Sequence, residues 1–558
     1  MSARRAAAFD PLEVEVWSHL FASLCEEMGA VLQRSAFSAN IVERRDFSCA
    51  LFDGAGRLVA QAAHLPVHLG AARASVAAVV DTVGLANFER GDAWLLNDPF
   101  AGGSHLPDLT LVAPVFLGAQ GSHPDAFCVA RAHHADVGGP YPGSMGPAKD
   151  AHSEGLRIPP VRAFVDGAPD ERLFALFLAN VRVPEQRRGD LMAQYAALVA
   201  GRRRLEALAD EYGRDAVAQR GADQIRWTER LARAAVADLV DGEGRSEDVV
   251  DLPRVADDPA PTARIAAVCR VRGATLELDL CASSDQLEAP LNAPRAVAEA
   301  AAFYLLRALL PPGTPTNHGV LAPLELRTRP GSIVDAVAPA AVAAGNVETS
   351  QRLVDVLFAA LGPLVPGGLP AASNGSMSNL AFGAAGGATR AFTHYETCGG
   401  GAGAGPSGDA ESGVHCHMTN TRNTPIESLE RELPVRVLRS TLARGSGGAG
   451  ASRGGDGIVR EIEFAEPVQL TWLAGRVRRG APGARGGGDG RPGGAWVRDA
   501  AGARRRGLQP ADSVELPAGG RVELRTPGGG GFGAARSGEG TDRPPDRPTT
   551  GSTDHAPD

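Results

Sequence analysis

The sequence predicts a mixed α/β (α+β) protein of several domains, with a β-rich C-terminal region. Three observations predict it. Long Ala/Leu/Arg-patterned stretches run with few breakers; short apolar runs are bounded by Gly, Pro, Asn and Asp; and from about Pro434 the second pattern takes over. A chain of 558 residues is expected to form two to four domains. The divisions fall at 1–250 (an N-terminal α/β domain), 251–433 (a middle α/β domain) and 434–534 (the C-terminal β-rich region). The remaining 535–558 is Gly, Pro, Ser, Thr and Asp with almost nothing to bury, which predicts a disordered tail.

Taken in order, Asp10-Pro11 opens a helix to about Arg34, with Val14, Trp17, Leu20, Leu24 and Met28 near helical spacing. Phe47 to Phe52 and Leu58 to Gln61 flank Asp53-Gly54-Ala55-Gly56 and read as a hairpin. Pro66 argues against a regular helix between His64 and His68. Ala93 to Leu96, Leu109 to Val115 and Phe127 to Ala132 are strand candidates, and the last runs into His133-His134. Glu171 to Asp241 is helix-rich and closes the first domain. Ile265 to Val271 and Ala274 to Leu280 form a second hairpin around Arg272-Gly273. Helices are expected over Ala293 to Leu310, stopped by Pro311-Pro312, and over Thr349 to Leu361. Short strands follow at Arg436 to Leu438, Val459 to Phe464 and Val468 to Leu473. Gly475 to Gly494 reads as loops, and Val514 to Leu524 as a last hairpin.

The composition narrows the function classes. A net charge of −9 is not the electrostatic footprint of a nucleic-acid binder. The only lysine is Lys149, so no G-x-x-x-x-G-K-[ST] phosphate loop exists in the chain. The 7 cysteines include no C-x-x-C pair, which argues against a disulfide framework or zinc finger. Cys49 and Cys128 lie in apolar runs and read as inert core thiols. With no apolar leader and no membrane-length apolar run, the expected location is cytoplasmic.

Two polar clusters carry the chemistry. One runs from Asn97 to Asp108 and the other from Arg131 to Gly139; each follows a strand candidate. His105 and Asp108 are three apart on a turn, and His133 ends the next strand. Two histidines and one carboxylate with open positions suit a catalytic Mn, Fe or Zn site. On spacing alone, hydrogen-bonded loop histidines fit as well. A third cluster spans His394 to Gly401 and Ser412 to Pro425. There His415 and His417, if on a strand, share one face and can supply ligands or acid–base groups. Asn40 to Asp46 and Gly345 to Arg352 are polar without being linker-like, and fit either helix ends with paired charges or functional segments.

Several long strings stand in one order. They are Glu43-Arg44-Arg45-Asp46-Phe47-Ser48, His64-Leu65-Pro66-Val67-His68-Leu69-Gly70, Gly102-Gly103-Ser104-His105-Leu106-Pro107-Asp108, and His133-His134-Ala135-Asp136-Val137-Gly138-Gly139. Further on come Glu154-Gly155-Leu156-Arg157, Gly345-Asn346-Val347-Glu348-Thr349-Ser350-Gln351-Arg352 and His415-Cys416-His417-Met418-Thr419-Asn420. Together they resemble the hydantoinase B/oxoprolinase family from about Asp10 to Gly533. The resemblance implies a B-type subunit that works with a hydantoinase A-type partner; the partner binds ATP and phosphorylates a carbonyl oxygen. In N-methylhydantoinases and 5-oxoprolinases a cyclic amide or imide is then opened by water, whereas in the related acetone and acetophenone carboxylases a ketone is carboxylated. The resemblance also implies a divalent metal (Mn, Zn or Fe) at the positions of His105, Asp108 and His133. The expectation is therefore a hetero-oligomeric, ATP-dependent cyclic amide hydrolase. His134 or Asp136 would orient a ligand, and His415 or His417 would act as general base or acid. The alternatives are a ketone carboxylase subunit and a non-catalytic scaffold for the ATP-binding partner. Cys398 and the Arg/Gly-rich Gly475 to Gly494 look unusual for the family.

Overall fold

The computed structural model describes residues 10–62, 65–118, 121–254, 261–384, 391–500 and 505–535. The expected tail lies outside them except for residue 535, as does His64. Helix α1 (Pro11–Ser35) starts where Asp10 caps the Leu12 N–H with Pro11 in the first turn. A single turn, α2 (Ala39–Val42), leads into β1 (Phe47–Asp53) and β2 (Leu58–Gln61), the first predicted hairpin. Helix α3 (Pro66–Val83) follows directly, so the expectation of no regular helix at His64 to His68 is corrected. Pro66 occupies the first turn, where its missing N–H is needed by no partner, and His68 is helical.

Strands β3 (Ala93–Leu96), β4 (Asp108–Val115), β5 (Ala126–His133), β6 (Val161–Val165) and β7 (Ala168–Pro169) complete an antiparallel sheet of order β2-β1-β5-β4-β3-β6-β7. Helices α4 (Glu171–Leu178), α5 (Pro184–Tyr212) and α6 (Arg214–Ala237) come next, and α1 and α5 cover one face of the sheet. That face contributes Cys49, Leu51, Leu111 and Cys128 to one core. The opposite face contributes Ala50, Phe52, Val112 and Val129 to a second core, shared with α3. Being covered on both faces, β5 is buried at every position. This is why it reads as a continuous apolar run and not an alternation.

The second core continues into a four-stranded sheet. It consists of β8 (Gly242–Asp251), β9 (Thr262–Arg272), β10 (Thr275–Asp279) and β11 (Leu324–Arg327), in the order β11-β10-β9-β8. Strands β9 and β10 form the second predicted hairpin. Helix α7 (Arg295–Leu309) packs between α3 and α8 (Ser350–Leu361).

Beyond α8, two antiparallel sheets pack face to face through Phe382, Phe464, Trp472 and Val522. The first contains β12 (Asn379–Ala384), β13 (Thr393–Glu396), β16 (Val468–Leu473) and β19 (Ala511–Leu516). The second contains β14 (Val435–Ala443), β15 (Gly457–Phe464), β17 (Gly494–Arg498), β18 (Arg505–Gly507) and β20 (Arg521–Arg525), with the short helix α9 (Ile426–Glu432) ahead of them. The expected last hairpin is corrected: β19 pairs with β16, whereas β20 pairs with β15 and β17, so the turn between them crosses from one sheet to the other. The glycine-rich loops pack backbone against backbone. A Cβ at Gly529, for example, would lie 1.9 Å from the Ala402 carbonyl oxygen. Among the described residues, no helix is long and apolar enough to cross a membrane.

Candidate metal centre

Asp108 begins β4 and His133 ends β5, and the antiparallel register sets these two residues opposite each other. His105 lies on the turn just before β4, where the Asp108 N–H donates to its carbonyl at 3.2 Å. One face of a strand pair and one turn thus bring the three side chains together. Asp108 Oδ1 lies 3.0 Å from His105 Nε2 and 3.4 Å from His133 Nδ1. One ligand atom from each residue falls within 4.8 Å of the others, and all three residues are buried. Asp108 Oδ1 and His133 Nε2 are buried without a hydrogen-bond partner. Buried polar atoms are rarely left so; two imidazole nitrogens and a carboxylate oxygen make a fitting donor set for a divalent transition metal.

The surroundings fix each donor. His105 Nδ1 faces the Ala343 carbonyl at 3.2 Å, which places the ring proton on Nδ1 and leaves Nε2 as the donor atom. The Val342 and Ala343 N–H groups in turn donate to Glu154 Oε1 at 2.8 and 2.7 Å. Asp108 Oδ2 accepts the Ser104 hydroxyl at 2.6 Å and lies 3.5 Å from His68 Nε2. His68 Nδ1 is 2.9 Å from the Ser48 hydroxyl. The His133 ring stacks on Tyr395 at 4.4 Å and 14°. Tyr395 donates to Asn379 Oδ1 at 2.6 Å, and the Asn379 amide donates to Glu348 at 3.0 Å. Asn346 approaches His105 Nε2 at 3.2 Å from a π-turn, Gly345–Thr349. The approach requires Gly345, since a Cβ there would meet the Asn292 carbonyl oxygen at 1.8 Å.

Charge and burial compete at the centre. Burial pushes the Asp108 carboxyl up, but the neighbouring His105 and His68 outweigh it and hold it well below the usual range. Burial pulls His105 down, and the Asp108 charge more than restores it. Burial wins at His133, which is lowered. It also pushes the Glu154 carboxyl up to about 7.

The other expected site residues lie elsewhere. His134 follows His133 and points to the opposite face of the sheet, where its Nε2 meets Gln194 at 2.8 Å; burial pulls it down to about 4. Asp136 accepts from the Gly138 and Arg182 N–H groups and pairs with the Arg182 guanidinium at 2.8 Å. His415 and His417 are not on a strand, so they do not share a face. His417 sits at φ 53°, 3.2 Å from Asp355 and 3.4 Å from the Tyr304 hydroxyl. His415 is buried with neither ring nitrogen partnered, within the fields of Arg44, Glu396 and Asp46.

His68, Ser104, Glu154, Asn346 and Tyr395 join the centre although residue pattern alone did not single them out for it. The signal for His68 was Pro66 itself, a helix-start residue two positions earlier. For Tyr395 no local signal exists.

Sequence and structure comparisons agree on one group of proteins. The hydantoinase B/oxoprolinase family profile matches residues 10–535. The chain is 37% identical to 5-oxoprolinase 1 of Arabidopsis thaliana over 94% of its own length, but spans only 42% of that protein. It is 30% identical to the B chain of a D-/L-hydantoinase from Pseudomonas sp. (strain NS671), covering 94% of this chain and 90% of that one. Among solved structures, the ATP-dependent caprolactamase from Pseudomonas jessenii superposes with a TM-score of 0.85 at 26% identity, over 94% of this chain and 92% of that one.

Proposed function

Because the chain belongs to the hydantoinase B/oxoprolinase family, we propose that it is the B-type subunit of an ATP-dependent enzyme that opens a cyclic amide or imide with water. The observation that carries this reading is the buried set of His105, Asp108 and His133, with donor atoms converging and two of them unpartnered. A hetero-oligomeric assembly with a hydantoinase A-type, ATP-binding partner follows from two likenesses. The Pseudomonas relative is one chain of a multi-subunit hydantoinase, and this chain spans less than half of the plant 5-oxoprolinase.

Amides resist hydrolysis because the carbonyl is a poor electrophile and the nitrogen a poor leaving group. Phosphorylation of the carbonyl oxygen by the partner would supply activation. A divalent Mn, Zn or Fe held by His105, Asp108 and His133 would, when bound, acidify water and polarise a carbonyl oxygen. The chain's own residues do the rest. Asp108 presents Oδ1 while Ser104 holds Oδ2. The Ala343 carbonyl fixes the His105 ring. Tyr395 covers one face of His133 and keeps water from it. The Asn346 amide, beside His105 Nε2, is placed to donate to a developing oxyanion. His134 and Asp136 act from further out, tying the end of β5 to α5 and to Arg182. His415, with both ring nitrogens unpartnered, is the candidate for proton transfer; His417 is engaged by Asp355.

The test is metal content by elemental mass spectrometry, wild type against His105→Ala, followed by ATP-dependent turnover of 5-oxoproline and hydantoin with the partner. Near-stoichiometric metal that is lost in the variant, together with ring opening, supports the reading. Metal-free complex with full activity would favour a scaffold. ATP-dependent uptake of labelled bicarbonate with a ketone, and no ring opening, would favour a carboxylase.

A further inference from the structure

A cavity of about 430 Å³ opens beside the metal centre, between α1 and the start of β1, and its chemistry is unlike that of the centre. Arg45 and Arg422 line it, and neither guanidinium has an ion-pair or hydrogen-bond partner among the described residues. Glu26 is the one acid on its wall; Gln33, Asn420 and Thr421 add amide and hydroxyl groups. The volume is that of a small-molecule site.

Three contacts join this cavity to the centre. Arg45 and Phe47 on its wall flank Asp46, whose carbonyl accepts the His133 N–H at 2.9 Å. Leu65, also on the wall, donates its N–H to the Ser48 hydroxyl at 3.3 Å, and that hydroxyl meets His68, the neighbour of Asp108. The Arg422 N–H bonds the Arg44 carbonyl at 2.9 Å, which sets the two arginine-bearing segments side by side. Arg44 and Asp46 are both buried, so the chain turns outward between them. Arg45 takes φ 54° and is exposed. A non-glycine residue held in the left-handed region is uncommon, and here it presents a cation to the cavity.

Resting on the metal-centre reading above, we propose that this cavity binds the anionic group of the substrate: a phosphoryl or carboxylate oxyanion on a small molecule whose reacting carbon lies toward His105 and His133. Two planar guanidiniums, free of other partners, match such an oxyanion in shape and charge. Opposed only by Glu26, they leave a net positive wall that disfavours a neutral or cationic ligand.

The experiment is calorimetric titration of the full chain with inorganic phosphate, 5-oxoproline and the neutral ring 2-pyrrolidinone, using wild type, Arg45→Gln, Arg422→Gln and the double variant. Saturable binding of at least one anion is expected, with 2-pyrrolidinone at least about tenfold weaker. Each single variant should weaken anion binding and the double variant abolish it, with metal content unchanged. Phosphate binding alone assigns a phosphoryl group; 5-oxoproline binding alone assigns a ring carboxylate. The proposal is overturned if neither anion binds the wild type, or if the double variant binds as tightly. Elemental analysis of the same samples separates the two readings. Arginine-dependent anion binding on a metal-free wild type sinks the metal centre and leaves the anion site standing.

Discussion

Asp108 turns its two oxygens to different duties. Oδ2 is occupied by Ser104 and His68, while Oδ1 is left facing two imidazoles. His133 and His134, adjacent in sequence, part company for an elementary reason: successive strand residues face opposite sides of the sheet. His134→Leu should therefore keep metal at the wild-type level. It should still cost about 1–3 kcal/mol in chemical denaturation, since Gln194 loses its imidazole partner. A metal loss matching that of His105→Ala would refute this placement. Glu154 gives a pH-dependent prediction. Its carboxyl rises from 4.5 to about 7 in the folded chain, so the folded state binds the extra proton between those values. Stability contributed there is present at low pH and is lost as pH climbs through about 7. Glu154→Gln, which cannot titrate, should show a smaller fall in Tm between pH 5 and pH 8 than the wild type by scanning calorimetry.

At the scale of elements, the centre depends on where helices start and how closely they approach. Helix α3 presents His68 in its first turn, and it lies against α7 at Gly70, where a Cβ would come within 2.5 Å of the Ala300 backbone nitrogen. That neighbour is backbone and cannot swing aside. Gly70→Ala should thus destabilise the protein by about 1–3 kcal/mol in denaturant titration and weaken metal retention by shifting His68. Unchanged stability would mean that α3 and α7 separate at no cost. Most elements were legible. The α1 start, the β1–β2 and β9–β10 hairpins, and helices α7 and α8 follow from caps, turns and periodicity. Strand β8 was not legible, because its sequence Gly242-Glu243-Gly244-Arg245-Ser246-Glu247-Asp248 carries charge on a largely exposed edge. The β19–β20 turn misled because local alternation cannot say which sheet a strand will join.

Across the whole molecule, the centre is tied together from three distant stretches of chain. The first sheet supplies His105, Asp108 and His133; the segment before α8 supplies the Ala343 carbonyl and Asn346; the C-terminal sandwich supplies Tyr395. A metal bound there should favour the folded over the unfolded chain. At a hundredfold excess over its Kd it should add about 2.7 kcal/mol of stability, visible as a metal-dependent rise in Tm. Tyr395→Leu should reduce that rise, though Tyr395 contributes no ligand atom. Tyr395→Phe, which keeps the stacked ring, should retain more of it.

By itself the sequence determined the helix starts, the short strands and the paired His-x-x-Asp and His-His strings, because caps, turns and ligand spacing act over a few residues. It also determined the family, since many long strings stand in one order. Only the tertiary structure decided which of seven candidate residues meet. The pairing of Asp108 with His133 is a matter of strand register. The stacking of Tyr395 on His133 and the anchoring of His105 by Ala343 join segments far apart in the chain. Their contact depends on how the sheets and helices pack, and a local stretch of sequence holds no record of that.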